Sequence, residues 1–188
     1  MQTICVLDFD ETLGTSEKCE GKDKCNIYFE DGTKYKTVLR PLLQPFLNFL
    51  RENFDVVGIW SAGETDYVEK VIKLINFDFD FVWSAKECEK VENGHDYKYH
   101  KPLYKIWNVI GGDKKTTMII DDKTVTAIRN FANVLNIKIF DGEKNDKELI
   151  NIMNFLKENL YDSDDLRELC LKWNNTRMKY TSVKDVRD

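Results

Sequence analysis

The chain has 188 residues, 42% hydrophobic and 32% charged, with a formal net charge of −5. That length supports one real core, so the expectation is one domain over residues 1–161 followed by a C-terminal helix and frayed tail over 162–188. The acidic balance argues against extensive nucleic-acid binding through a broad basic surface. No apolar run is long enough to span a bilayer and no secretory signal opens the chain, so a cytoplasmic or nuclear setting without a membrane is expected.

The first apolar run, Ile4 to Leu7, predicts a buried strand that runs straight into Asp8 and Asp10, with Thr12 just behind. Two carboxylates one residue apart repel, and burying either costs several kcal/mol unless a metal ion, a shared proton or water compensates it. Gly14 then lets the chain turn away without a side chain. "NIYFEDGTKYKTVL" alternates apolar and polar residues about Asp31-Gly32 and predicts a hairpin, closed by Arg40-Pro41. "LLQPFLNFLRENF" spaces Phe46, Leu47, Phe49 and Leu50 as a helix, and "DVVGIW" reads as a buried strand ending at Ser61.

Tyr67, Val68, Val71, Ile72 and Ile75 mark the next helix, "FDFDFVW" a strand, and "PLYKIWNVI" a helix ended by Gly111-Gly112. "TTMII" is a strand that delivers a second acidic pair, Asp121-Asp122. "VLNIKIF" predicts a further strand and "DKELINIMNFLKENL" a helix. In "SDDLRELCLKWNN", Ser163 is a capping residue, and Leu166, Leu169, Cys170 and Trp173 share one helical face. That face is expected to dock on the core, with a partner-binding helix as the alternative; "TSVKDVRD" reads as a frayed end.

Strands alternating with helices predict an α/β, Rossmann-like, mostly parallel sheet with helices on both faces, small β-hairpin insertions and no large cap. In such sheets ligands bind outside the carboxyl ends of the strands. Asp8, Ser61 and Asp121 each stand at such an end, and Lys101, just before Pro102, is within reach of the same crevice. Taken singly, an acidic pair solvates a loop, Ser61 caps a helix and Lys101 sits on the surface; together they converge on one site. Two histidines exclude a histidine-built metal hydrolase. Five cysteines at irregular spacing predict reduced thiols rather than a disulfide framework, and without a close cysteine or histidine pair a zinc site around Cys19, Cys25 and Cys88 is not expected.

"DFDETLG", "WSAG", "KPLYKIW" and "MIIDD", in that order, resemble the four motifs of the haloacid dehalogenase superfamily, in its RNA polymerase II C-terminal-domain (CTD) phosphatase branch. "LRP" after the hairpin fits that branch, and "KELINIMNFLKEN" is similar to its ubiquitin-like-domain-containing member. No ubiquitin-like domain is expected before the first strand here, and no BRCT domain after the last helix.

The resemblance implies a magnesium-dependent hydrolysis of phosphoserine and phosphothreonine through an aspartyl-phosphate. Asp8 is then nucleophile and metal ligand. Asp10 is general acid and base, and a ligand through its backbone carbonyl. Asp121 and Asp122 supply the remaining acidic groups, Asp122 in the more direct position. Ser61 donates to a phosphoryl oxygen beside Ala62, Lys101 offsets charge, and Thr12 holds the loop or orients Asp10. Arg40 and Lys86 are the expected substrate-binding cations; Lys86 is the nearest substitute for an arginine absent from "FVWSAKECEKVENGHDYKYHK".

An uncapped crevice favours a phosphorylated polypeptide, such as the polymerase C-terminal domain. Tyr28, Phe29, Trp83 and Tyr97 are readable either as an apolar groove or as core residues. Three alternatives stand beside this: a receiver domain, whose acidic pair would open the chain; a noncatalytic phosphopeptide- or protein-binding module; and a polynucleotide 3'-phosphatase, which would want a basic groove.

Overall fold

The computed structural model describes residues 2–20, 24–90, 99–123 and 129–184. Its centre is a five-stranded parallel sheet in the order β10-β9-β1-β5-β6, formed by Val134–Asn136, Thr117–Asp121, Ile4–Leu7, Val56–Trp60 and Phe81–Trp83. Every residue of β1, β5 and β9 is buried, which is why these segments read as unbroken apolar runs rather than alternations. Period-two geometry splits their side chains between two cores. Cys5, Leu7, Val57, Ile59, Met118 and Ile120 face one way. They meet α1 (Leu43–Asn53), α2 (Thr65–Ile75), α4 (Glu148–Asn159) and α5 (Leu166–Lys184). Ile4, Val6, Val56, Trp60 and Ile119 face the other way, toward α3 (Tyr104–Val109) with Leu103 and Ile106. Helices therefore cover both faces, among the described residues four α-helices on one and one short α-helix on the other.

Between β1 and α1 lies more than the expected hairpin. β2 (Gly14–Lys18), β3 (Ile27–Tyr28) and β4 (Lys34–Leu39) form an antiparallel sheet in the order β2-β4-β3, with Gly32 supplying the positive φ, 85°, of the β3–β4 turn. β2, "GTSEK", carries no apolar side chain, so it has no hydrophobic period to read; its backbone pairing with β4 makes it a strand. A two-stranded ribbon, β7 (Glu89–Lys90) and β8 (Tyr99–His100), follows β6. Tyr97 lies outside the described residues.

The cysteine expectation is corrected. Cys19 and Cys25 form a disulfide, with their Cα atoms 6.3 Å apart, while Cys5, Cys88 and Cys170 are free and buried. Because β2 and β3 flank β4, Cys19, just after β2, and Cys25, two residues before β3, are brought within bridging distance, which spacing alone does not reveal.

α5 packs Leu166, Leu169, Cys170 and Trp173 into the larger core and runs over the edge strand β10. Trp173 donates from Nε1 to the Asn136 carbonyl at 2.8 Å, and Asn174 bonds both the Val134 carbonyl and the Asn136 amide. The helix thus occupies backbone groups that an open edge would expose. Its span, to Lys184, includes residues expected to fray; 185–188 lie outside the described residues.

Candidate active site

The loop from β1 to β2 carries three of the expected site residues and is held in shape at several points. The amides of Thr12, Leu13 and Gly14 all donate to the Phe9 carbonyl, and Glu11 sits in the left-handed region at φ 66°. A Cβ on Gly14 would stand 2.8 Å from the Phe9 ring and 2.9 Å from the Val38 carbonyl, so only glycine lets β2 cross here. Arg40 locks the loop from behind. Its guanidinium is paired with both Asp146 oxygens, at 2.8 and 2.9 Å, donates to the Thr12 carbonyl at 2.9 Å, and lies over the Phe140 ring. At 1% exposure Arg40 does not line the crevice, so a place among the substrate-contacting groups does not follow from the geometry.

Asp8, at the end of β1, is buried, as are Asp121 at the end of β9 and Lys101 ahead of α3. The Lys101 ammonium bonds to Asp8 Oδ1 and, at 2.8 Å, to Asp121 Oδ2, so one cation ties the ends of two neighbouring strands. Burial lowers the proton affinity of Lys101, but the carboxylates of Asp121 and Asp8 outweigh it and leave the ammonium charged. Burial pushes the Asp8 carboxyl well up against the pull of Lys101, with the charges of Asp121 and Asp10 adding to the push.

Asp122 is reached differently. Thr12 Oγ1 donates to Asp122 Oδ1 and accepts from the Asp122 amide, each at 3.1 Å, so Thr12 orients Asp122 rather than Asp10. Asn136 Nδ2 donates to the Asp122 carbonyl at 3.0 Å. The second carboxylate oxygen, Oδ2, is buried and makes no hydrogen bond among the described residues; the nearest cation is Lys123, at 3.8 Å. Burial raises this carboxyl to about 6, with Lys123 opposing and Asp121 adding to the rise. Ligand oxygens of Asp8, Asp121 and Asp122 all lie within 4.8 Å of one another. Three carboxylates that can each offer an oxygen, one of them with a buried oxygen unbonded among the described residues, form a cluster suited to a hard divalent cation.

Asp10 is set apart from that cluster. Ser61, at the end of β5, donates to Asp10 Oδ2 at 3.1 Å and accepts from the Gly63 amide at 3.0 Å. Tyr67, on the first turns of α2, reaches Asp10 Oδ1 at 2.6 Å and Ser16 at 2.7 Å, and Ser16 meets Thr37 at 2.8 Å. A phenol has one hydrogen, so with the Asp10 carboxylate accepting it, Ser16 donates to Tyr67 and Thr37 to Ser16. Burial, then the charge of Asp10, raises the Tyr67 hydroxyl beyond the working range, so it stays a donor. Sequence reading placed Tyr67 among core-facing helix residues. The missed signal is chemical: a tyrosine on a core-facing stripe needs a partner for its hydroxyl, and a carboxylate motif lay unassigned upstream.

From Asp10 an open cleft of about 830 Å³ runs between the small sheet and the start of α2. Ala62 and Lys86 line it, together with Phe29, Tyr35 and Tyr67. Tyr28 projects to solvent outside this lining, and Trp83 packs edge-on against Trp60 in the smaller core. Of the expected aromatic groove, Phe29 is the described member that reaches the cleft.

A family model described as NLI interacting factor-like phosphatase matches residues 3–167. Among relatives, CTD small phosphatase-like protein 2 of Dictyostelium discoideum is 30% identical over 168 residues, covering 86% of this chain and 28% of that protein. The CTD phosphatase-like protein 355R of Invertebrate iridescent virus 6 is 29% identical over 174 residues, covering 81% of this chain and 93% of the viral one. Among solved structures, Fcp1, an essential RNA polymerase II CTD phosphatase, superposes with a TM-score of 0.54 at 16% identity, over 100% of this chain and 54% of Fcp1. At that identity the likeness to Fcp1 carries the fold alone. The chain thus spans less than a third of the Dictyostelium relative, about half of Fcp1 and nearly all of the viral protein.

Proposed function

Because the chain belongs to the NLI interacting factor-like phosphatase family, in the CTD-phosphatase branch of the haloacid dehalogenase superfamily, we propose that it hydrolyses phosphoserine and phosphothreonine esters of proteins through an aspartyl-phosphate on Asp8. The observation that supports this most directly is the division of labour between two carboxylates of one loop. Asp8 is salt-bridged to Lys101, whereas among the described residues Asp10 receives the hydroxyls of Ser61 and Tyr67 and no cation. Nucleophile and general acid need such different surroundings.

The carboxylates of Asp8, Asp121 and Asp122, with the backbone carbonyl of Asp10, would hold magnesium. When bound, the ion neutralises phosphoryl charge and lets an anionic nucleophile approach an anionic ester. In this reading Asp8 attacks phosphorus, the ester P–O bond breaks, and Asp10 gives its proton to the departing serine or threonine oxygen. Asp10 then takes a proton from the water that cleaves the acyl phosphate, which frees Asp8 and releases phosphate. Ser61 turns its hydroxyl from Asp10 to a phosphoryl oxygen, while Lys101 keeps Asp8 aimed and offsets charge that accumulates in the transition state. Arg40 acts behind the loop rather than on substrate, and Lys86 stands where the body of a polypeptide would pass.

The catalytic unit in this reading is residues 1–161, with 162–188 as a helix docked on it. A phosphoprotein such as the polymerase C-terminal domain is the substrate class, in cytoplasm or nucleus; among the described residues no helix is long and apolar enough to cross a membrane. The test is phosphate release from phosphoserine and phosphothreonine peptides beside a 3'-phosphorylated oligonucleotide. Release from the peptides that needs magnesium and vanishes in Asp8→Asn is the expected result. Full activity in excess chelator, a wild-type rate in Asp8→Asn, or turnover of the oligonucleotide alone would overturn it.

A further inference from the structure

The cleft beside Asp10 has an aromatic wall and a charged rim, and the two suit one kind of ligand. Phe29 meets Tyr35 edge-on with ring centroids 5.8 Å apart, and the outer rim carries Asp31 on the hairpin tip and Glu64 and Asp66 at the start of α2, all exposed. Part of that charge has a local reason. Asp66 lies in the first turn of α2, where the helix dipole favours a carboxylate, and the Thr33 amide, then Lys18, keep Asp31 ionised. Glu64 gains from the same dipole, but its carboxylate bonds to nothing at the helix end. It stands at the N-cap without making a side-chain capping bond, and neither its carboxylate nor that of Asp66 forms a hydrogen bond or ion pair with any described residue. Apart from Asp10, which carries the proton in the mechanism above, the lining among the described residues holds three carboxylates, Asp31, Glu64 and Asp66, against two lysines, Lys18 and Lys86.

A phosphorylated segment brings about two negative charges into this surplus. Its own flanking residues then decide the balance. Acidic neighbours add repulsion, whereas lysine or arginine neighbours offset the rim and lay their aliphatic stems along Phe29 and Tyr35. The surface already shows such a contact, with the Lys70 ammonium 5.2 Å from the Phe29 ring centroid. We propose that, granted the phosphoprotein reading above, the rim of Asp31, Glu64 and Asp66 selects phosphorylated segments with lysine or arginine beside the phosphoresidue and rejects segments with acidic flanks.

The test uses three phosphoserine peptides of one length that differ only in their flanking residues: arginine, alanine or glutamate. Both kcat/KM for the wild-type protein and affinity for the Asp8→Asn variant, by fluorescence anisotropy, are measured at low and high salt. The expected order is arginine over alanine over glutamate, with roughly tenfold between the extremes at low salt and less at high salt. In Glu64→Gln/Asp66→Asn the arginine-to-glutamate ratio should fall toward one. Equal handling of all three peptides, or an unchanged ratio in that double variant, overturns the selection while leaving the phosphatase reading intact. Arginine-favoured binding to Asp8→Asn without turnover of any peptide by the wild-type protein does the reverse: the rim is upheld and the phosphatase reading fails.

Discussion

The Tyr67 hydroxyl stands 2.6 Å from Asp10 Oδ1, joining the first turns of α2 to the loop that follows β1 across 57 residues of sequence. The ring itself packs against Phe9 and Tyr35, so Tyr67→Phe keeps the packing and removes only the donor. We expect the folded variant to lose about 10- to 100-fold in kcat on a phosphoserine peptide, whose alkoxide must be protonated as it leaves. An aryl phosphate leaves readily without a proton, so its pre-steady-state burst of phenol should persist. Equal losses of burst with both substrates would assign Tyr67 to general loop order instead of to Asp10.

Arg40 gives a prediction about stability. Its pairing with Asp146 is bidentate and almost fully buried, with side-chain exposures of 0% and 8%. Removing one member of such a pair costs about 3–5 kcal/mol because the other charge is left buried and alone. Arg40→Ala should therefore lower the unfolding free energy in urea by about that amount, and Arg40→Lys, lacking the planar fork, should recover only part of it. A stable Arg40→Ala protein with a raised KM would instead restore Arg40 to the substrate site.

The acidic cluster makes the stability of the metal-free protein depend on pH. Asp122 has a folded value of about 6 against an ordinary 3.8, so its proton is held more tightly in the folded chain. The stability this contributes is complete below about pH 4 and is lost as pH rises through about 6. Melting temperature in chelator should fall across that window, and Asp122→Asn should flatten the fall. Since a bound cation requires the ionised carboxylate, magnesium should raise the melting temperature more at pH 7.5 than at pH 5 and should release protons on binding, seen as a buffer-dependent calorimetric heat. A magnesium effect independent of pH would contradict the assignment.

The elements that carry the central sheet were legible because their local pattern and their tertiary setting agree. Strands buried on both faces must be apolar throughout, so Ile4–Leu7, Val56–Trp60 and Thr117–Asp121 announce themselves, and the polar residues that end them, Asp8, Ser61 and Asp121, fall at the crevice by topology. The same reasoning misses whatever is stabilised by partners far along the chain. β2 has no apolar period and exists through its pairing with β4, and the Cys19–Cys25 bridge follows from that pairing.

Side-chain roles divide in the same way. Residue type alone draws attention to Asp8 and Asp10, because two carboxylates one residue apart behind a buried strand demand compensation wherever they stand. It does not reveal the partners of Arg40, Thr12 or Tyr67. An arginine serves substrate or scaffold according to which carboxylate lies within reach, and Asp146, 106 residues away, decides that. Thr12 orients Asp122 across 110 residues, and Tyr67 turns from core residue to partner of Asp10 only because α2 starts beside the β1 loop. Hydrogen bonds act over about 3 Å in space and leave no periodic trace in the order of residues, so only the folded chain assigns them.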